Sequence, residues 1–150
     1  MTDPLLLHAT AVAIDGEAVL LRGPPGSGKS DLALRLIDAG ARLVADDRTS
    51  LRRAGNRVFA HTPPAIAGLF EIRGLGIARV QTSAAAPIFL IADLVGSGDI
   101  ERMPERRFET ILGIVLPLIA LAPFEASAPA KLRFLRRALA ADPLPAILGW

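Results

Sequence analysis

The chain has 150 residues, the usual size of one compact domain and too few for two ordinary ones. Its 51% hydrophobic and 21% charged residues can form a packed core, which excludes a largely disordered chain. The net charge of +2 is small, aromatic residues make up only 5% and the clustered arginines occur as pairs, so the composition gives little support to a nucleic-acid-binding protein.

Cysteine is absent and histidine occurs twice, so neither a disulfide framework nor a zinc site built from these residues is expected. The first residues carry no basic segment ahead of an apolar run. The longest apolar run, 111–122, is interrupted by Pro117 and is shorter than the ~20 residues that span a bilayer. We therefore expect a cytoplasmic protein with no membrane partner.

A β-hairpin is predicted at the start of the chain. Residues 5–14 and 17–22 are strand-like and flank Asp15-Gly16, which is a strong signal for a two-residue hairpin turn. When the pairing is continued along such a hairpin, His8 lies opposite Gly23. The histidine is therefore expected beside the segment that follows the second strand.

A helix and a strand are predicted after this hairpin and a glycine-rich segment. Residues 30–39 have apolar side chains at helical spacing and are followed by Gly40, which is typical of a helix end. The apolar positions are Leu32, Leu36 and Ile37. With a strand predicted at 42–45, the order strand, loop, helix, strand indicates a parallel β-α-β unit.

The rest of the chain is predicted to add strands and one helix. Residues 49–53 and 57–61 are predicted to form a second hairpin, and later strands are expected at 77–81, 88–94 and 111–121. Residues 127–141 are predicted to form an amphipathic helix. Its core positions are Leu132, Leu135 and Leu139, and its water-facing positions are Arg133, Arg136 and Arg137. Residues 1–150 are thus predicted to form a single α/β domain with a mixed sheet.

The glycine-rich segment matches the phosphate-binding loop motif G-x-x-x-x-G-K-[ST] at every position. It consists of Gly23, Pro24, Pro25, Gly26, Ser27, Gly28, Lys29 and Ser30. Backbone N–H groups at a helix start can surround phosphate oxygens, the Lys29 ammonium can reach the outer phosphates and the Ser30 hydroxyl can bind Mg²⁺. The alternative is a plain strand-to-helix turn with a solvated lysine.

Two adjacent carboxylates, Asp46 and Asp47, follow the strand predicted at 42–45. The carboxyl end of a parallel strand is where open α/β sheets bind ligands. Beside a nucleotide, one carboxylate can serve the metal ion while the other exchanges a proton with an attacking hydroxyl. A kinase therefore fits better than a mechanical ATPase, and the alternative is a pair of solvated loop acids.

These residues resemble the bacterial HPr kinase/phosphorylase family. The resemblance begins at Leu7-His8-Ala9, continues through the phosphate loop and Leu43-Val44-Ala45-Asp46-Asp47, and is most specific at Glu71-Ile72-Arg73-Gly74-Leu75-Gly76-Ile77. It covers residues 5–80 and implies the fold of the family's catalytic domain in a short form. The fold expected is an α/β, P-loop-containing mixed sheet with an N-terminal β-hairpin.

The resemblance implies roles for individual residues. It implies catalytic roles for His8, Lys29 and Asp47, Mg²⁺ ligation by Ser30 and Glu71, and nucleotide binding by the phosphate loop with Asp46 and Arg73. In an extended segment, Glu71 and Arg73 share one face, so one can bind metal and the other phosphate. The alternatives from the residues alone are an ordinary strand histidine at His8 and a surface ion pair at Glu71 and Arg73.

The implied activity is transfer of phosphate from ATP, with Mg²⁺, to a serine of the phosphocarrier protein HPr in the regulation of the phosphotransferase system. The family also removes this phosphate by phosphorolysis and is expected to act as a homo-oligomer in the cytoplasm. Two alternatives stay open, a kinase of a small hydroxylated molecule and a nucleotide-binding module without turnover.

The second half of the chain departs from the family pattern. Arg102 matches the family's later catalytic arginine in a poorly matching segment, with a solvated loop arginine as the alternative. The arginine-containing segment associated with phosphorolysis has no counterpart, and residues 116–118 are apolar where charge is expected. The predicted helix at 127–141 is the candidate HPr-docking element.

Overall fold

A computed structural model describes residues 4–64, 67–140 and 144–150 of the chain. The described strands are β1 (Leu5–Leu7), β2 (Ala9–Ile14), β3 (Glu17–Arg22), β4 (Arg42–Ala45), β5 (Thr49–Ala54), β6 (Arg57–His61), β7 (Leu69–Ile72), β8 (Gly76–Arg79), β9 (Ala85–Leu94), β10 (Arg107–Ile111) and β11 (Ile114–Leu121). The helices are α1 (Lys29–Asp38) and α2 (Ala128–Ala138), with a short 3₁₀ helix at Ser97–Asp99.

Nine of the described strands form one curled mixed sheet, in the order β1-β5-β6-β9-β3-β2-β4, with β11 along the later part of β9 and β10 beside β11. The strands β7 and β8 form a separate hairpin. The N-terminal hairpin has the predicted register, from Ile14 opposite Glu17 to Ala9 opposite Arg22. An α/β domain with a mixed sheet is therefore confirmed.

Four strands end at the same edge of the sheet. β9 is parallel to β3, β11 is parallel to β9, and β4 is parallel to β3 because both are antiparallel to β2. The predicted parallel β-α-β unit is present, but β2 lies between its two strands. The segments that follow these strands, starting at residues 23, 46, 95 and 122, therefore emerge together.

The sheet separates two apolar clusters. The first packs α1 and α2 against β2, β3 and β9 and includes Leu32, Leu36, Phe70, Leu132 and Leu135. The second lies on the opposite face, where the alanines of β2 and β3 pack against Leu51, Val58 and Ile91. Small alanine side chains leave room for the sheet to curl onto itself. With both faces covered in this way, the free edge of the sheet is where the four segments emerge.

Two predicted strands are wrong in their extent. The run 5–14 is divided by a bend at His8, because β1 leaves the hairpin and pairs with β5, with Leu7 opposite Thr49. The run 111–121 is not one strand, since β10 and β11 form a hairpin whose turn is Leu112-Gly113. Both turn residues have positive φ, 51° and 82°, which a leucine rarely adopts. Of the two turn residues, only Gly113 is therefore of a type that indicates a hairpin turn in the sequence.

Helix α2 is confirmed, and residue 141 at the predicted helix end lies outside the described residues. The prediction that Arg136 faces water is wrong. Its side chain is 14% exposed, donates hydrogen bonds to the carbonyls of Ile14 and Asp15 at 3.0 and 2.8 Å, and pairs with Glu17 at 3.0 Å. Arg136 thus fastens the turn of the N-terminal hairpin to α2. Arg133 and Arg137 are exposed as predicted.

No helix in the described part of the chain is both long and apolar enough to cross a membrane.

Candidate active site

The glycine-rich segment connects the carboxyl end of β3 to the first residue of α1, as predicted. Gly26 and Gly28 have φ values of 80° and 102°, which side chains other than glycine rarely adopt. Gly23 is also constrained, since a Cβ there would lie 2.4 Å from the Ser27 Oγ. The tight loop therefore requires its glycines for conformation and for packing.

Lys29 folds back under this loop and is 8% exposed. Its Nζ donates hydrogen bonds to the carbonyls of Gly23 and Pro24, at 2.6 and 3.2 Å. A lysine ammonium has three donors, so one remains for an anion bound above the loop. The charge of Lys29 is thus held at the place where the loop amides would bind phosphate.

Ser30 and Asp46 are brought together by α1 and β4. The Ser30 hydroxyl donates to the Asp46 carboxylate, with Oγ lying 3.0 Å from Oδ1 and 3.3 Å from Oδ2. Because the hydroxyl proton points to Asp46, the oxygen lone pairs of Ser30 stay available to a metal ion. The predicted proximity of the phosphate loop and the aspartate pair is confirmed.

Thr10 organises both aspartates and was not singled out from the sequence. It is fully buried on β2, and its Oγ1 donates to Asp46 Oδ1 at 2.9 Å and accepts a hydrogen bond from the Asp47 backbone N–H at 3.1 Å. Asp47 has a φ of 63°, and its exposed carboxylate makes no hydrogen bond among the described residues. The signal available was a single hydroxyl in an otherwise apolar strand.

The β7–β8 hairpin covers the other side of the loop. Glu71 lies in β7, but the strand ends at Ile72, so the extended conformation in which Glu71 and Arg73 would share one face does not include Arg73. Arg73 lies in the turn, followed by Gly74 with a φ of 88°. Both charged side chains nevertheless line the same cleft. The hairpin therefore places Glu71 and Arg73 in the same cleft as the phosphate loop.

The cleft between these elements has a volume of about 470 Å³. Its walls come from the phosphate loop and α1, the two aspartates, the β7–β8 hairpin and the segment after β11. The lining residues are Pro25, Gly26, Gly28, Lys29, Ser30, Asp31, Leu34, Asp46, Asp47, Phe70, Glu71, Ile72, Arg73 and Phe124. Most of the residues predicted for nucleotide and metal binding thus share one space.

His8 and Arg102 do not line this cleft. His8 is exposed at the bend between β1 and β2, one residue beyond the last hairpin pair. Arg102 is exposed in the segment between β9 and β10, which emerges at the same edge of the sheet as the loop. The catalytic roles of both residues stay predictions.

Arg22, directly before the loop, is held by two carboxylates. It bonds to Asp93 on β9 at 2.7 Å and to Glu109 on β10 at 2.6 Å. Hydrogen bonds to Glu109 and then to Asp93 raise the pKa of Arg22 above its ordinary value. Its charge is engaged on the sheet and does not contribute to the cleft, while the end of β3 is fixed against its neighbours.

The residues of the cleft suit a magnesium ion that is bound partly by substrate phosphates and water. They do not suit a metal ion that is held by protein side chains alone. No group of three or more histidine or acidic side chains in the described ranges could by itself hold a metal. Mg²⁺ usually takes one or two carboxylates and completes its coordination with substrate phosphates and water. The Ser30 hydroxyl, Asp46 and Glu71 supply oxygen donors of this kind beside a phosphate-binding loop.

Comparisons with known proteins show which family the chain belongs to. A model of the HPr Serine kinase C-terminal domain matches residues 1–87, which include the phosphate loop, both aspartates and the β7–β8 hairpin. This chain belongs to the HPr kinase C-terminal domain family. The match ends shortly after β9 begins, so it contains the cleft residues except Phe124.

Two curated relatives agree with this family membership. HPr kinase/phosphorylase 1 of Oceanobacillus iheyensis is 46% identical over 77 residues, covering 51% of this chain and 25% of the relative. The HPr kinase/phosphorylase of Ralstonia nicotianae is 33% identical over 126 residues, covering 77% of this chain and 39% of the relative. The chain thus spans well under half of these relatives.

A solved structure extends the likeness to the second half of the chain. The HPr(Ser) kinase/phosphatase of Coxiella burnetii superimposes with a TM-score of 0.78 and 31% sequence identity, covering 89% of this chain and 94% of that one. The large curled sheet is therefore the fold of the HPr kinase family.

Proposed function

We propose that this protein is an ATP- and Mg²⁺-dependent kinase that phosphorylates a serine of the phosphocarrier protein HPr. One observation carries the proposal: a single cleft brings together a phosphate loop, an exposed carboxylate and a second carboxylate beside an arginine. Phosphoryl transfer needs these parts, namely charge stabilisation, a proton acceptor and oxygen ligands for a metal ion. The names of the relatives supply HPr as the substrate.

The side chains of the cleft divide this work. Asp47 accepts the proton of the serine hydroxyl while the serine oxygen bonds to the γ-phosphorus of ATP. The bond between the γ-phosphorus and the oxygen that bridges it to the β-phosphate breaks, and ADP is released. Lys29 and the loop amides hold the charge that develops on the phosphates, and Arg73 binds the transferring group. Ser30, Asp46 and Glu71 would hold the Mg²⁺ ion. That ion neutralises phosphate charge when it is bound.

The test is to incubate the protein with ATP, Mg²⁺ and HPr and to follow phosphoserine by mass spectrometry. We expect a stable phosphoserine on HPr, and none on an HPr variant whose acceptor serine is replaced by alanine. Transfer only to a small hydroxylated molecule would favour a small-molecule kinase. Nucleotide binding without any transfer would favour a sensing module, and either result would contradict the proposal.

Replacing Thr10 by valine should slow transfer because the change removes the hydroxyl that positions both aspartates. We expect a loss of about tenfold or more in kcat, since small displacements of reacting groups are costly. ATP affinity should fall less than kcat, because Ser30 still donates to Asp46. Loss of the two hydrogen bonds of Thr10 should lower stability by about 1–3 kcal/mol, at about 0.5–1.5 kcal/mol for each bond. Steady-state kinetics, ATP titration and thermal unfolding measure these effects.

Thr10→Ser is the matched control for this prediction, because it keeps the hydroxyl and removes only a methyl group. It should restore most of the transfer rate. If the valine and serine variants were equally impaired, the loss would come from packing and not from the hydrogen bonds of Thr10.

The forward reaction should dominate over phosphorolysis. The reverse reaction places inorganic phosphate in line with phosphoserine, which concentrates negative charge and requires several cations. Among the described residues, the cationic side chains that line the cleft are Lys29 and Arg73. Arg22 is committed to Asp93 and Glu109.

The measurement is pyrophosphate release from phosphoserine-HPr with the protein, Mg²⁺ and millimolar phosphate, compared with the forward rate under matched conditions. We expect slower release than forward transfer. Equal rates would refute the prediction and would show that Arg102, or an arginine from a second subunit, completes the site.

A further inference from the structure

Phe124 is an aromatic side chain that the proposed phosphoryl-transfer chemistry does not use. It follows β11, lines the cleft and is 70% exposed. A Cβ added to Gly28 would lie 3.0 Å from the Phe124 Cζ and 3.2 Å from its Cε1. The Phe124 ring therefore lies directly beside the loop at Gly28, while most of its surface stays accessible.

The segment that carries Phe124 is fastened to the helix of the phosphate loop. Arg35 on α1 donates hydrogen bonds to the carbonyl of Pro123 and, at 3.3 Å, to that of Glu125. Arg35 also pairs with Asp31 at 2.8 Å. The residues on both sides of Phe124 are therefore held in place, while the ring itself is presented to solvent at the cleft.

We propose that Phe124 is the surface on which the base of the bound nucleotide stacks, an inference that rests on the proposed function. The phosphates occupy the loop, and the base must lie beside it, where the Phe124 ring touches Gly28. Of the two aromatic side chains that line the cleft, Phe70 is buried at 1% exposure, so Phe124 supplies the exposed ring. Stacking on an aromatic ring is favourable for every base.

The residues around Phe124 also bear on whether the site distinguishes one base from another. Of the two charged side chains of α1 that line the cleft, Lys29 is held under the loop and Asp31 is paired with Arg35, and Leu34 is apolar. A phenylalanine has no hydrogen-bonding group for a base edge. The site should therefore accept purine nucleoside triphosphates with little discrimination between adenine and guanine.

Calorimetric titration of the full chain with Mg²⁺-ATP and with Mg²⁺-tripolyphosphate, which lacks the base, tests the inference. Phe124→Ala should weaken ATP and GTP binding by about fivefold or more, the effect of losing one stacked base, and leave tripolyphosphate binding unchanged. Phe134→Ala is the matched control, since Phe134 on α2 is 40% exposed and does not line the cleft.

A fluorescent variant supplies a second readout. The chain has one tryptophan, Trp150, so Phe124→Trp in a Trp150→Phe background places the only indole at the cleft. ATP should quench its fluorescence, and tripolyphosphate should not. Unchanged ATP affinity in Phe124→Ala, or an equal loss for tripolyphosphate, would overturn the stacking role. Failure of the unaltered protein to bind either compound would instead contradict the proposed function.

Discussion

Lys29→Ala should abolish detectable phosphoryl transfer to HPr, with a loss of about a hundredfold or more in rate and weaker ATP binding. The side chain is buried, bridges the carbonyls of Gly23 and Pro24, and retains one donor for the phosphates. Its removal leaves the loop amides without the ammonium that stabilises the developing charge. Phosphoserine formation and ATP titration measure the two effects, and circular dichroism checks that the fold is kept.

The chain contains a matched control for this experiment. Its only other lysine is Lys131, half-exposed on α2 and paired with Glu125 at 3.4 Å, so Lys131→Ala should retain transfer. Lys29→Arg tests the shape of the cation, because a planar guanidinium is larger than an ammonium and should not fit under the loop. Transfer at the original rate by Lys29→Ala would remove the basis for a phosphate site here.

Asp47→Asn should eliminate most phosphoserine formation while ATP affinity is retained. The amide keeps the shape of the side chain but cannot accept the serine proton, and general-base removal typically costs about 10²- to 10⁴-fold in rate. Asp47 is exposed at the cleft, and its carboxylate makes no hydrogen bond among the described residues, so its oxygens are available to accept a proton. The measurement is single-turnover transfer with saturating ATP.

Asp46→Asn is the comparison that separates the two carboxylates. Asp46 accepts hydrogen bonds from Thr10 and Ser30, so its loss of charge should reduce Mg²⁺-dependent ATP binding. The two variants should therefore differ in which step is impaired. Mild and equal effects from both would favour two solvated loop acids and would count against a kinase site built on this pair.

The layout of the candidate site was largely predictable because its signals are local. The phosphate loop requires glycines at fixed spacing, a helix start and a preceding strand, and all three are visible within a few residues. Asp46 and Asp47 follow a short apolar strand, and the expectation that this strand ends beside the loop is confirmed by the bond between Ser30 and Asp46.

What could not be predicted depends on contacts between distant residues. Thr10 reaches Asp46 only because β2 lies between β3 and β4, and no spacing in the sequence reveals that order. Arg136 sits on the polar side of an amphipathic helix by its spacing, yet it caps a turn more than a hundred residues earlier. Phe124 becomes part of the cleft because β11 ends at the edge where the loop lies.

The strand order of the sheet has a consequence for the folding of the chain during its synthesis. On one side, the loop strand β3 pairs with β9, from Ala18 opposite Ile88 to Arg22 opposite Asp93. All the β9 residues in this pairing come after residue 87. A nascent chain that ends where the family match ends carries the lysine and acids of the cleft, but its loop strand has one bare edge. The pairing that covers this edge, and with it the complete sheet around the loop, forms only after the less similar portion of the chain has been synthesised.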